Sequence, residues 1–276
     1  MSFKQMICDV STGVCGEAGE SNFQTFEWNQ PPKKLKLYYV TDPICSHCWA
    51  LEPVLRRFEV QYGHLFTSHT VVGGLLKNWD GFADVKNGIG SPADVARHWR
   101  EVGEHSRMPI DGSLWLDNPI QSSYPSSRVF KVIQQTDEAA ARTFLRRARE
   151  AVFAFNRNIG EKQVLIDIVN QIGLDGDSVV KEAEEGYGQQ LLDQDFALAS
   201  SLGVRGFPTI VLVDEENKGI KVVGAQKLET YVKALEQALG TENMQAKSIP
   251  VLAKLLEQEA LFIFKGSRGH VRSPAK

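Results

Sequence analysis

Apolar positions along the chain follow two rhythms. "LKLYYVTD" (35–42) and "FTSHTVVGG" (66–74) are short runs rich in branched and aromatic residues, bounded by turn signals, and each predicts a strand. Between them, from about Cys45 to Tyr62, Leu51, Val54, Leu55 and Phe58 recur at helical spacing, and Pro53 inside that helix removes one backbone bond and predicts a bend. From Ser91 to about Glu185 the rhythm is helical. "SPADVARHWREVGEHS" carries a Ser cap, a Pro at the first helical position and an acid in the first turn. "YPSSRVFKVIQQ", "TDEAAARTFLRRAREAVFAF" and "GEKQVLIDIVNQIG" follow, separated by Gly, Pro and Asn, and "QQLLDQDFALASSLG" leads on. The strand rhythm then resumes: "VRGFPTIVLVDEENKGIKVVG" reads as a hairpin, and "AQKLETYVKALEQAL" (225–239) as a helix. The last apolar run, "VLAKLLEQEALFIF", predicts a C-terminal helix before a polar tail.

The order β-α-β, helices, α-β-β-α predicts one composite α/β unit in which a helical block interrupts a strand pattern that continues after it. The expected segments are an irregular N-terminal arm (1–34), an α/β part (35–90 and 186–240), an inserted helical block (91–185), and a C-terminal helix and tail (241–276).

Composition narrows the function classes more than it names one. Hydrophobic content of 42%, charged content of 24% and a net charge of −3 are those of an ordinary globular protein, with no general attraction to nucleic acid or anionic membrane. No apolar run approaches the roughly 20 residues that span a bilayer. The start carries neither a basic-then-apolar leader nor a small-residue cleavage site, so a cytoplasmic location is expected, where structural disulfides are rare.

Against that background "DPICSHCWALEPVL" (42–55) places Cys45 and Cys48 two apart, with His47 between them. A helix starting near Cys45 directs unpaired N–H groups and the positive end of its dipole at that sulfur, which favours the thiolate. His47 is the candidate neighbour that tunes it, and Cys48, one turn further in, is suited to resolving a mixed disulfide. Three readings follow. Zinc binding needs about four ligands, and Cys8 and Cys15, the only other cysteines, stand seven apart where two to four is usual. Two inert buried thiols is the second. Thiol–disulfide exchange is the reading favoured by a CxxC beside a β-α-β pattern. Pro208 at the entry to the wholly apolar "TIVLV" fits the same picture, because a proline is confined to the start of a central strand or to a special bend.

"DPICSHCW", the loop "RGFPT" and the inserted helices resemble the DsbA-like thioltransferase family, which has a thioredoxin fold interrupted by helices, over roughly residues 35 to 240. "CWALEPVLRRFEVQYGHLF" and "PIQSSYPSSRVFK" resemble a mostly cytoplasmic branch that includes FrnE-like disulfide isomerases and the adaptors that deliver a transcription regulator to the Clp protease. The resemblance implies that Cys45 is the nucleophile, Cys48 the resolving thiol, His47 the tuning residue and Pro208 a cis-proline facing the sulfurs. It further implies that Ser46, Trp49 and Phe207 meet a peptide substrate, with no metal and no dissociable cofactor. The expected activity is dithiol–disulfide exchange on protein or peptide substrates. The alternative is a non-catalytic adaptor that binds a regulatory protein for Clp proteolysis through the helical insertion or the C-terminal helix. One position departs from the pattern: six before the first cysteine, where these enzymes often bury an acid, stands Tyr39. Asp42 is nearer in sequence: it is expected to end the strand or cap the helix, the alternative being that it partly substitutes for that acid. "FLRRARE" (144–150) is expected to lie on a solvated helix face. The glycines of "VVGGLLKNW" are expected to make a turn or to admit a substrate closely. His64, His69, His98 and His105 share no ligand spacing.

Overall fold

The computed structural model describes residues 35–240 and Met244, together with the backbone of two short strands near the N-terminus. Those strands, β1 (Met6–Cys8) and β2 (Cys15–Glu17), pair antiparallel with Cys8 opposite Cys15, where the sequence suggested an irregular arm. They belong to a separate compact unit, Met1–Pro32. The expected C-terminal helix lies outside the described residues.

The second unit is built on a four-stranded sheet in the order β4-β3-β5-β6. β3 (Leu35–Thr41) runs parallel to β4 (Phe66–Val72) and antiparallel to β5 (Thr209–Val213), which pairs antiparallel with β6 (Gly219–Val223). The parallel pair is joined by α1 (Ser46–Tyr62), the crossover that parallel strands require. Pro53 sits on the exposed side of α1, and the helix continues through it.

Alternation along β3 sends side chains to two layers. Leu35, Leu37 and Tyr39 pack with Leu51, Leu55 and Phe58 of α1 and with Tyr231 and Leu235 of α9 (Leu228–Leu239). Tyr38 and Val40 face the other way, packing with Leu198 and Ala199. A larger core is formed by α2 (Pro92–Ser106), α3 (Leu114–Asp117), α4 (Tyr124–Thr136), α5 (Glu138–Arg149), α6 (Lys162–Gln171), α7 (Gly176–Glu184) and α8 (Tyr187–Ser201). Ile44, Trp49, Val72 and Leu76 belong to that helical core, so the inserted helices and the sheet share packing and the interruption is a layer of the same unit. Beyond Arg149, α5 passes into a π-helical turn, Glu150–Ala154. α3 and α7 have no separate signal in the apolar rhythm.

Candidate functional site

The site lies at the end of β3, where the chain turns into α1. Cys45 is the helix N-cap: its Sγ accepts from the Cys48 N–H at 3.2 Å and its carbonyl from the Trp49 N–H at 3.1 Å. A cap normally supplied by Ser, Thr, Asp or Asn is therefore made by the sulfur itself. Asp42, expected to end the strand or cap the helix, ends the strand but braces the neighbouring turns instead of the helix. Its carboxylate accepts from the N–H of Ile44 at 3.0 Å, the N–H of Leu75 at 2.7 Å and the Ser123 hydroxyl at 2.9 Å. Burial pushes the Asp42 carboxyl up, and those three donors pull it back.

Both sulfurs are inside: Cys45 is 6% exposed and Cys48 fully buried, and both are free thiols. Burial pushes the Cys45 thiol well up, and the adjoining Cys48 pushes it further. Desolvation thus works against the helix terminus at Cys45. Cys48 goes the other way. Burial would raise it too, but the hydrogen bond with Cys45, the Arg149 charge and the Thr41 hydroxyl together bring it below the ordinary cysteine value.

His47 is the one residue of the Cys-Ser-His-Cys stretch that reaches the surface. Its ring meets His98 of α2 edge-on at 5.3 Å, and burial followed by that neighbour holds His47 below the usual histidine range. That shift favours the neutral ring at pH 7. The pair opens onto a cleft of about 710 Å³ that is also lined by Lys86, His105 and Lys227. The four histidines without ligand spacing in the sequence thus include two, His98 and His105, that the fold gathers beside His47.

Ser46 and Trp49, expected to meet substrate, are both buried. The Trp49 indole donates to the Pro109 carbonyl at 3.2 Å and stacks on Phe153 at 6.0 Å, which makes it a tie between α1 and the helical layer. The Phe207–Pro208 peptide is cis. Thr209 pairs with Val40, so the register puts Pro208 level with Thr41, at the sheet end that carries Cys45. The Phe207 ring lies against Gly73: a Cβ there would sit 2.1 Å from its Cε1. Gly74, at φ +68°, is covered in the same way by Phe196. The close approach that these glycines allow is therefore taken up by the protein's own rings.

Arg149 departs from the expectation of a solvated helix face. It is 1% exposed and reaches the sheet. Its Nη2 donates to the Thr41 hydroxyl and, at 3.3 Å, to the Asp42 carbonyl; its Nη1 donates to Glu52 at 3.0 Å. The guanidinium stands over the Tyr39 ring at 5.9 Å. A signal was available: Ala141, Leu145 and Ala148 define the buried stripe of α5, and Arg149 follows four residues after Leu145. Arg146 and Arg147, by contrast, are partly exposed and pair with Glu52 and Glu150. Among the described residues no cluster of three or more His, Cys, Asp or Glu is placed to hold a metal, and no helix is long and apolar enough to cross a membrane.

A family model described as thioredoxin matches residues 38–233. Relatives include ClpXP adapter protein SpxH from Halalkalibacterium halodurans, 33% identical over 86% of this chain and 77% of the relative. SpxH of Shouchella clausii is 30% identical over 91% of this chain and 80% of its own. Among solved structures, the cytosolic disulfide reductase DsbM of Pseudomonas aeruginosa superposes with a TM-score of 0.57 at 20% identity, covering 74% of this chain and 98% of its own. A 2-hydroxychromene-2-carboxylate isomerase does so with a TM-score of 0.53 at 15% identity, covering 74% of this chain and 95% of its own. One fold thus carries unlike chemistries, and architecture alone does not assign an activity. From the family model and the sequence relatives together, the chain belongs to the thioredoxin family and is a relative of the SpxH adapters.

Proposed function

We propose that this chain is an adapter that binds a regulatory protein for degradation by ClpXP. The observation that carries the reading is the 33% identity to a ClpXP adapter across 86% of the chain. The site agrees with it: a nucleophile that turns over bulky protein disulfides needs a reachable thiolate, whereas Cys45 is 6% exposed and its thiol is pushed up. In a degradation assay reconstituted with ClpXP and a Clp-regulated transcription regulator, the chain is expected to speed loss of the regulator several-fold. Alanine at both Cys45 and Cys48 should leave that stimulation intact. Equal degradation rates with and without the chain would overturn the reading.

A second reading, a dithiol–disulfide oxidoreductase with Cys45 as nucleophile and Cys48 as resolving thiol, is supported by a different observation. The CxxC is intact, and the burial that would raise the Cys48 thiol is countered by the hydrogen bond with Cys45, the Arg149 charge and the Thr41 hydroxyl. Insulin reduction or refolding of a scrambled disulfide substrate, abolished by Cys45→Ala, is the expected result. Turnover no faster than that of the double alanine variant would exclude it.

A further inference from the structure

We propose that the cleft between α1 and α5 is a binding site for an organic carboxylate with an apolar body, its acid group held by Arg146, Arg147 and Arg149. The site is separate from the cysteine pair. It uses the face of α1 that carries Glu52, Leu55 and Glu59, whereas the cleft beside His47 uses Ala50, Leu51 and Val54.

The cleft encloses about 740 Å³, within the range of small-ligand pockets. Five arginines line it against three glutamates. Arg149 Nη1 stands 3.0 Å from Glu52 Oε2, and Arg146 Nη1 stands 3.7 Å from Glu52 Oε1. Arg146 Nε is 3.3 Å from Glu150 Oε1, and Arg147 Nη1 is 2.7 Å from Glu150 Oε2. The order is therefore Arg149–Glu52–Arg146–Glu150–Arg147, an alternating chain with a cation at each end. Three guanidinium groups share two carboxylates, which leaves the chain one negative charge short. Farther along the cleft, Arg142 pairs one to one with Glu59 and adds no surplus. A guanidinium cannot shed its proton to restore the balance. All five members are withdrawn from bulk water, with side chains no more than 33% exposed, so dissolved salt screens the surplus only weakly.

Arg149 supplies a second, independent observation. It lines the cleft, and its Nη atoms are taken by Glu52, Thr41 and the Asp42 carbonyl. Its Nε, also buried, has no partner among the described residues. Buried N–H groups are nearly always satisfied, and a carboxylate oxygen is the acceptor this one lacks. The shortfall of a single charge suits a carboxylate better than a phosphate dianion, and the guanidinium fork matches the planar acid group. Beside the arginines the lining turns apolar, with Leu55, Val60 and Leu145, and these side chains give a hydrocarbon portion of the ligand its contact surface.

The test is calorimetric titration of the full-length chain with octanoate, which is expected to bind at one site per chain. Octanol, which has the body without the charge, and inorganic phosphate, which has charge without the body, should each bind at least about tenfold more weakly. Arg147→Met removes one end of the charge chain and should weaken octanoate about tenfold. Glu52→Gln keeps an acceptor for Arg149 but deletes a negative charge, and it should tighten octanoate several-fold, a gain that a purely structural ion-pair network would not produce. Lys227→Met, in the cleft beside His47, should leave the affinity unchanged. If Arg147→Met fails to fold, Glu52→Gln decides. The inference is overturned by absence of octanoate binding, by octanol or phosphate binding as tightly, or by parent-like affinity in either Arg147→Met or Glu52→Gln. A loss in Lys227→Met equal to that in Arg147→Met overturns it too, because the acid then lies in the other cleft.

Discussion

Lys131 of α4 and Asp195 of α8 form a buried ion pair at 2.7 Å, with side chains 9% and 7% exposed. The other Asp195 oxygen accepts from the Val72 N–H at 2.8 Å, and the next N–H, of Gly73, donates to the Thr41 carbonyl at 2.8 Å. The pair therefore fixes two helices to the strand end that supports the site. Lys131→Met keeps the stem and deletes the charge. At an effective dielectric near 20, unit charges at this separation attract by about 6 kcal/mol. Desolvation offsets much of that, and what the variant exposes is a carboxylate left alone in the core, a loss of about 3–5 kcal/mol. Against a total stability of roughly 5–15 kcal/mol, such a loss is large.

The pH dependence sharpens the test. Burial already raises the Asp195 carboxyl, with Lys131 pulling it down, so the variant lifts it further. A carboxyl whose folded value lies above its unfolded one binds more protons when folded, so the penalty is complete above the folded value and shrinks as pH falls towards about 3.9. Urea unfolding at pH 7 and pH 5, with the variant compared to the parent at each, should show the larger deficit at pH 7. In an Asp195→Asn background, where the amide oxygen still accepts from Val72, Lys131→Met should cost about 1 kcal/mol or less, since no charge is stranded. A deficit below about 1 kcal/mol at pH 7, or an equal deficit at both pH values, refutes the reasoning.

Gly73→Ala places a methyl where the Phe207 ring now lies and should cost about 1–3 kcal/mol through forced repacking; a melting temperature equal to the parent's counts against that packing. His47 and His98 both sit below the usual histidine range, burial being the first cause for each. The unfolded chain then binds more protons between the folded values and about 6.5, so stability should drop on acidification through that window. His98→Gln should flatten the drop, as read by denaturant midpoints from pH 7.5 to 5; an unchanged slope contradicts the assignment.

The frame of the fold was legible in local pattern. Strand β3, helix α1 and the hairpin of β5 and β6 announce themselves by period and by turn residues, because each buries its own apolar set. The cysteine spacing and Tyr39, six residues ahead, were equally readable. What escaped depends on partners far along the chain. The Arg149–Thr41 contact joins residues 108 apart, and the Lys131–Asp195 contact residues 64 apart. A charged residue inside an apolar stripe reads as surface until its partner is seen. At Cys45 the local signal was incomplete: the helix terminus favours its thiolate, but how deeply the fold would bury it was not written in the eight residues around it. The short α3 and α7 lack the length for a period to register.

The π-helical turn after α5 has a bearing on how the family can vary. Arg149, on one side of it, answers to the sheet, while Phe153, within it, meets Trp99 at 4.3 Å and Trp49 at 6.0 Å. Each helical residue advances the phase by about 100°, so a one-codon deletion between these two positions would swing one clear of its partner. Where homologous chains gain or lose length, this turn is a place where indels should be scarce, even though no part of it touches a sulfur.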